Sequence, residues 1–438
     1  MKKTLKWISI AILAPILFIL LLALLLYLPP VQNWAVKHVA EYASKKTGLE
    51  ISVDHVNLEF PLDLGLDDVK VIQPNDSLPQ VKDTVADVGH LLADVQLLPL
   101  FKKQIQIDEF DIRRVKVNTT NFIPSVNIKG NVGRINLQAH GIDLTKENVN
   151  VDNVILQDGN LSIFLSDTVP PDTTPNTNHW KINVAQMKID RTRLDLHMPG
   201  DTLEVKAGMG DVALTNTHFD LFKGLYKAGH IDWKNGWVNY DNNFEIKQKG
   251  LDFNHLAFGD MTVVADSFSY CDSRLDIILR ECRLKEKCGL AVENLTGPFG
   301  LDSTRLWLPK LFLRTPESEL QAQVNMDMDA FADHHPGKLN LVVHGFIGKQ
   351  DLLLFMKDTP EPLRRRWPNA PLRIDGVLKG NLRMAKFAGL SVNLPSAFKF
   401  QANGYIAGLM DPKRIKANVD LKATTYHLDF LTALLDPS

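Results

Sequence analysis

A pattern of apolar residues that occurs twice, 33 residues apart, constrains this chain more than any other feature of its sequence. In each copy, two short stretches with an apolar residue at every second position are followed, after a gap, by a third. The first copy has Val149, Val151, Val154, Leu156, Leu161, Ile163 and Leu165, and the second has Ile182, Val184, Met187, Ile189, Leu194, Leu196 and Met198. A period of two predicts β-strands with one apolar and one polar face.

The spacing inside each copy leads to two further expectations. Two residues separate Val151 from Val154. This spacing would reverse the alternation, so a bulge or tight bend must return both stretches to one face. The four-residue gap at 157–160 is rich in turn-forming residues, and the gap at 190–193 less so. We therefore interpret each copy as a hairpin-like unit.

Looser copies of the pattern lie at 105–117 and 306–322. A recurring unit with unequal insertions is typical of a repetitive β structure. An ordinary antiparallel sandwich also shows alternation. The spacing therefore leaves two architectures open, one repetitive sheet or two sheets packed together.

The composition of the 438-residue chain narrows the class of protein. A chain of this length exceeds one ordinary domain unless its architecture is repetitive. Its 49 basic and 51 acidic residues give a net charge of −2, without the basic excess that nucleic-acid binding requires, so we expect no nucleic-acid partner. Val, Ile, Thr and Asn are frequent after residue 50 and helix-forming runs are scarce, which predicts a mainly β chain.

The N-terminus carries lysines at positions 2, 3 and 6, followed by residues 7–28, which have no charge. As a helix, this segment would be about 33 Å long and would match the ~30 Å core of a bilayer. The lysines favour a cytoplasmic N-terminus, with the bulk of the chain beyond the membrane. A cleaved signal peptide is the alternative, but no small-x-small cleavage site follows. We therefore predict a single-pass anchor over residues 1–28, and an amphipathic helix over 29–48.

Catalytic motifs are missing from the sequence. It contains no GxxxxGK[ST], HExxH or GxSxG. Asp333, His334 and His335 lie beside proline and glycine, as expected of a solvated loop. Cys271, Cys282 and Cys288 form no CxxC pair, and either Cys282 and Cys288 form a disulfide or all three are free. We predict that the protein is not an enzyme and has neither a cofactor nor a metal site.

Three other stretches carry a resemblance to a known family. They are Thr-Gly-Leu-Glu-Ile-Ser-Val at 47–53, Leu-Leu-Pro-Leu-Phe at 97–101 with Gln-Ile-Gln-Ile-Asp at 104–108, and Leu-Thr-Gly-Pro-Phe-Gly-Leu-Asp at 295–302. In these motifs and in its overall arrangement the chain resembles the AsmA/TamB superfamily. The resemblance implies an elongated, curved β groove (a "β-taco"), anchored in the bacterial inner membrane and otherwise periplasmic, that carries phospholipid toward the outer membrane. The C-terminal β domain of TamB-like members is missing, which indicates a shorter AsmA-like member or a fragment.

Together these observations predict four segments. They are the transmembrane anchor 1–28, the amphipathic helix 29–48, a repetitive β groove 49–345, and a second β segment 346–438 with short helices at 349–356 and 361–367.

A single long sheet would leave its apolar face without a protein partner. A contiguous exposed apolar surface is unusual unless something covers it, and lipid acyl chains could do so. We expect the face to bind membrane phospholipids through Val149, Val151, Val154, Leu156, Leu161, Ile163, Leu165, Ile182, Val184, Ile189, Leu194 and Leu196. The alternative function is an assembly factor for outer-membrane β-proteins, which would be its partners and would add strands to its exposed strand edges.

Overall fold

The computed structural model describes most of the chain after residue 48. It covers residues 49–59, 63–74, 82–95, 107–119, 126–143, 147–165, 179–246, 250–332, 334–356, 359–408 and 412–434, together with Pro30, Asn33, Lys37, Ala40, Glu41 and Ser44, which are helical. The predicted anchor and most of the amphipathic helix lie outside these residues. No helix among the described residues has the length and apolarity needed to span a bilayer.

Antiparallel strands dominate the described residues. Strands account for 72% of the described residues, which confirms the prediction of a mainly β protein. The chain divides into two units, residues 1–174 with 184–200, and residues 175–183 with 201–438. The first unit holds β1 (Glu50–Glu59), β2 (Asp63–Pro74), β3 (Lys82–Val95), β4 (Ile107–Asn118), β5 (Val126–Asp143), β6 (Asn148–Leu165) and most of β7 (Lys181–His197).

The second unit has more and mostly shorter strands. They are β8 (Glu204–Asp220), β9 (Leu225–Asp241), β10 (His255–Cys271), β11 (Arg274–Glu286), β12 (Ala291–Val292), β13 (Asn294–Leu301), β14 (Arg305–Arg314), β15 (Glu319–Asp327), β16 (Leu339–Ile347), β17 (Leu372–Asn381), β18 (Met384–Leu394), β19 (Phe398–Ala407) and β20 (Lys416–Thr425). Two short helices, α1 (Lys349–Phe355) and α2 (Glu361–Arg366), connect β16 to β17. Both helices lie where the sequence predicted them.

Strands that follow one another along the chain pair as antiparallel neighbours. This holds from β1 to β6 in the first unit and from β8 to β20 in the second, where β13 pairs with β11 beyond the short β12. Because each pair is local in sequence, turns and short loops suffice to build most of the ladder.

The two copies of the 33-residue pattern lie side by side as β6 and β7. Asp158 accepts hydrogen bonds from Arg191, Gly159 N–H donates to Thr192 Oγ1 at 3.3 Å, and the ring of Phe164 stacks on His197 at 4.4 Å. Each contact joins a residue to the one 33 positions later, an offset that only parallel neighbours keep constant. The repeat therefore places equivalent residues of β6 and β7 next to each other.

The structure confirms one expectation about the repeat and overturns another. The ladder between β5 and β6 shifts register beside Val151, so a bulge accommodates the skip between Val151 and Val154. The turn predicted at 157–160 is wrong, since β6 runs unbroken through it. Asp158 instead adopts a left-handed conformation with φ of 56° and kinks the strand. Arg191 does the same in β7, at φ of 44°.

Similar kinks form a row across the first unit. Asp68, Arg114 and Asp158 have φ between 53° and 56°, and the register places Gly89 between the first two and Gly133 between the last two. A Cβ on Gly133 would lie 2.9 Å from Cβ of Asp158, and one on Gly89 would lie 3.1 Å from Cβ of Arg114. Glycine therefore makes room for the side chain of the kinked residue on the adjacent strand.

A sealed core is present at one end of the second unit. Leu363, Trp367, Leu394, Ala397 and Phe430 form the cluster of buried apolar residues. Residues of α2, of the β18–β19 turn and of the 3-10 helix Asp429–Leu434 meet there. These elements cover the ends of β17, β18 and β19.

Candidate functional site

Two rows of apolar side chains in the first unit lie on one face of its sheet. The ladder places them directly opposite one another on neighbouring strands. One row runs from β1 to β6 through Val56, Leu66, Leu91, Ile112, Ile135 and Leu156. A second row, beyond the kinks, runs through Val53, Val69, Val88, Val115, Val132 and Gly159. Both sides of the kinked row thus present apolar groups to the same face.

The lining residues predicted in β6 belong to this face. Each lies opposite an apolar residue or glycine of β5, as with Leu137 opposite Val154 and Ile128 opposite Ile163. The equivalent residues of β1–β5 were not predicted from the sequence to line this face. The alternation at 51–58, interrupted by the same kind of skip, was the signal that could have identified them.

The burial of the twelve predicted lining residues is intermediate. Only Val151 and Val184 are buried, each at 3% exposure. The other ten are neither buried nor exposed. Side chains at the centre of a sandwich are enclosed by a second layer about 10 Å away, so this partial exposure indicates a face without one.

The second unit has a comparable apolar face. Leu308, Val324, Leu341, Leu378 and Phe387 form a row from β14 to β18, and all five are partly exposed.

Helix α1 closes the second unit's face at one edge. The Leu354 carbonyl accepts a hydrogen bond from Leu251 N–H at 3.1 Å, although Leu251 precedes β10 and α1 follows β16. Asp351, at 8% exposure, accepts hydrogen bonds from Thr315 Oγ1 and Ser318 Oγ in the β14–β15 turn. These contacts fix α1 across the ends of the strands.

The opposite face is polar and carries paired charges. Asp111, at 3% exposure, accepts hydrogen bonds from Arg134 Nε at 2.8 Å and Arg113 Nε at 2.9 Å. Burial alone would raise the pKa of Asp111, but the two guanidinium groups outweigh it and lower the pKa below its usual value. His–Asp pairs, such as His90 with Asp67 at 2.7 Å, join neighbouring strands on this face.

The cysteines offer no activated nucleophile. All three are free thiols. Burial raises the pKa of Cys282, and burial together with Glu286 raises the pKa of Cys288 to about 11. A thiol with a raised pKa is protonated at neutral pH and is a poor nucleophile. Among the described residues, no three His, Cys, Asp or Glu side chains are grouped to hold a metal ion.

Comparison of the chain with protein families, characterised proteins and solved structures found no match.

Proposed function

We propose that the apolar face is an open trough that shields the acyl chains of phospholipids during transport. The observation that carries this proposal is the intermediate burial of ten of the twelve predicted lining residues, which a second layer of strands would enclose. Burial of these partly exposed apolar side chains against another apolar surface would be favourable in free energy, and acyl chains can supply that surface.

The energy available is sufficient for a lipid. Each buried methylene contributes roughly 0.8 kcal/mol, so a sixteen-carbon chain gains on the order of 10 kcal/mol before its entropy losses. Rows of similar aliphatic side chains repeat from strand to strand. The binding energy of an acyl chain therefore changes little with position, and sliding along the rows meets low barriers.

The proposal includes a location. Residues 7–28 anchor the chain in the bacterial inner membrane, the lysines before them stay in the cytoplasm, and the strands lie in the periplasm. The resemblance to AsmA/TamB proteins supports the same placement and the direction toward the outer membrane.

The test places a charge in the middle of the face. We expect Ile163→Asp in the full chain to lower transfer of phospholipid between vesicles by at least about tenfold, because a buried carboxylate costs several kcal/mol. Asn160→Asp, on the polar face of the same strand and exposed, is the matched control and should transfer like the unmodified protein. Circular dichroism should show folded strands in both variants.

Two outcomes would contradict the trough. In the first, folded Ile163→Asp transfers lipid at the unmodified rate. In the second, native mass spectrometry of the purified chain finds unfolded outer-membrane protein in place of phospholipid, which would favour the assembly function.

A further inference from the structure

A groove crosses the polar face of β14, β15 and β16 and reaches β17. Its larger part encloses about 810 Å³ and the adjoining part about 600 Å³, and both are lined by Pro309, Gln323 and Val342. The groove lies beside a bulge in β14, where Leu308 pairs with Val324 but Leu311 pairs with Ala322. The extra residue of β14 bends the strand there.

The groove contains polar side chains that are not hydrogen-bonded to other described residues. The amides of Gln323, Asn325 and Asn340 and the cations of Arg305 and Lys379 line it. All five residues are exposed. Among the described residues none is hydrogen-bonded to their side chains, although the charge of Arg305 acts on the carboxylate of Asp302. Other cations of the polar face do have an acidic partner, as Arg134 has in Asp111 and Arg280 in Asp266. The groove therefore offers an excess of unused donors.

An aromatic side chain forms one wall of the groove. Trp307 packs over Gly300, where any Cβ would lie 1.9 Å from the indole ring, and the guanidinium of Arg274 lies 5.0 Å from the ring centroid. The indole is therefore held in place before a ligand arrives. Asp302 is the acid in the larger part of the groove, and its carboxylate already accepts hydrogen bonds from Thr304 and from Arg305 N–H.

We propose that this groove binds an acidic oligosaccharide. Amide groups both donate and accept hydrogen bonds, as sugar hydroxyls do. Arg305 and Lys379 would pair with a carboxylate or phosphate on the sugar. Trp307 and Val342 would contact the C–H faces of the rings. Within the second unit, the groove lies on the face opposite the row of Leu308, Val324 and Leu341, so it does not depend on the lipid function.

The test measures binding of sugar probes to the full chain by isothermal titration calorimetry in detergent. The probes are trigalacturonate, a mannose oligosaccharide bearing phosphate, neutral maltotriose and inorganic phosphate. We expect one or both acidic oligosaccharides to bind. The variant with Arg305→Gln and Lys379→Gln should bind them at least about tenfold more weakly, the effect of losing a charge-assisted hydrogen bond. Arg373→Gln, an exposed change on the polar face of the same strand as Lys379, is the control and should bind normally.

The preferred acidic probe identifies the anion as carboxylate or phosphate, and either result supports the proposal. It is overturned when neither acidic oligosaccharide binds or when maltotriose binds equally well. It is also overturned when inorganic phosphate binds as tightly as the phosphorylated sugar, or when Arg373→Gln weakens binding as much as the double variant. Circular dichroism of each variant confirms that any loss reflects the groove.

Discussion

At the scale of single residues, the kinks of the first unit depend on glycines opposite them. Gly133 lies against Asp158, and a methyl group added to Gly133 would approach within 2.9 Å of Cβ of Asp158. We expect Gly133→Ala to lower the free energy of unfolding by about 1–3 kcal/mol, because neither neighbour can move without disturbing the ladder. Gly259→Ala is the control, since nothing lies within 4 Å of its added Cβ. Thermal unfolding followed by circular dichroism compares the two, and equal midpoints would contradict the explanation.

Asp111 should make stability depend on pH. Burial raises the pKa of its carboxyl, but Arg134 and Arg113 lower it further, so the net folded pKa lies below the usual value of 3.8. A depressed pKa stabilises the fold above the unfolded pKa and loses this effect as the pH falls through the folded pKa. We expect Asp111→Asn to be less stable by about 1–3 kcal/mol at pH 7.

The measurement is denaturant unfolding of both proteins between pH 7 and pH 2. The difference between Asp111→Asn and the unmodified chain should shrink as the pH falls below ~4, the usual pKa of an aspartate. A difference that stays constant over this range would show that the two arginines do not act through the charge of Asp111.

At the scale of elements, the sequence predicts the faces of the strands better than their ends. Alternation in β6 indicates its apolar face because side chains of a strand must point to opposite sides. The Asp158–Gly159 pair looks like a hairpin turn because both a turn and a kink need a residue with positive φ. Which of the two forms depends on Gly133 of the neighbouring strand, and that contact is invisible in the local sequence. The parallel pairing of β6 with β7 also depends on contacts between strands, so the local sequence does not reveal it.

Asp351 should be the residue that holds helix α1 across one edge of the second unit's apolar face. We expect Asp351→Ala to leave Thr315 and Ser318 without their acceptor and to loosen α1, at a cost of about 1–3 kcal/mol. Hydrogen exchange should then become faster in residues 349–356 than in β14 and β15. Glu361→Ala, which removes an exposed carboxylate from α2, is the control. Unchanged exchange in Asp351→Ala would mean that other contacts hold α1.

At the scale of the whole molecule, an open apolar face and a closed cavity respond differently to the length of a ligand. The affinity of a closed cavity stops rising once the ligand fills the cavity. An open face adds roughly 0.8 kcal/mol, about fourfold in affinity, for every further methylene. We therefore expect the affinity for fatty acids to rise steadily from ten to eighteen carbons. Displacement of a fluorescent fatty acid measures this series, and a plateau at an intermediate length would contradict an open trough.

The sequence predicts the mainly β class and the apolar face of β6, because both follow from local alternation. It does not predict the core around Trp367 and Phe430, whose residues come from distant segments. Nor does it predict the groove beside Trp307, because that depression depends on a bulge in one strand and glycine in the next. These features arise from pairing between strands, which a single sequence does not reveal.

The row of kinks limits where residues can be inserted into or deleted from the strands. Asp68, Arg114 and Asp158 each face a glycine on an adjoining strand, so the bend forms a continuous crease across β2 to β6. Deleting one residue between the end of a strand and its kink would shift the kinked residue away from the glycines on both neighbouring strands. Loops tolerate such changes far better. Proteins descended from the same ancestor should therefore differ in length at their connections, while the spacing from crease to crease stays fixed.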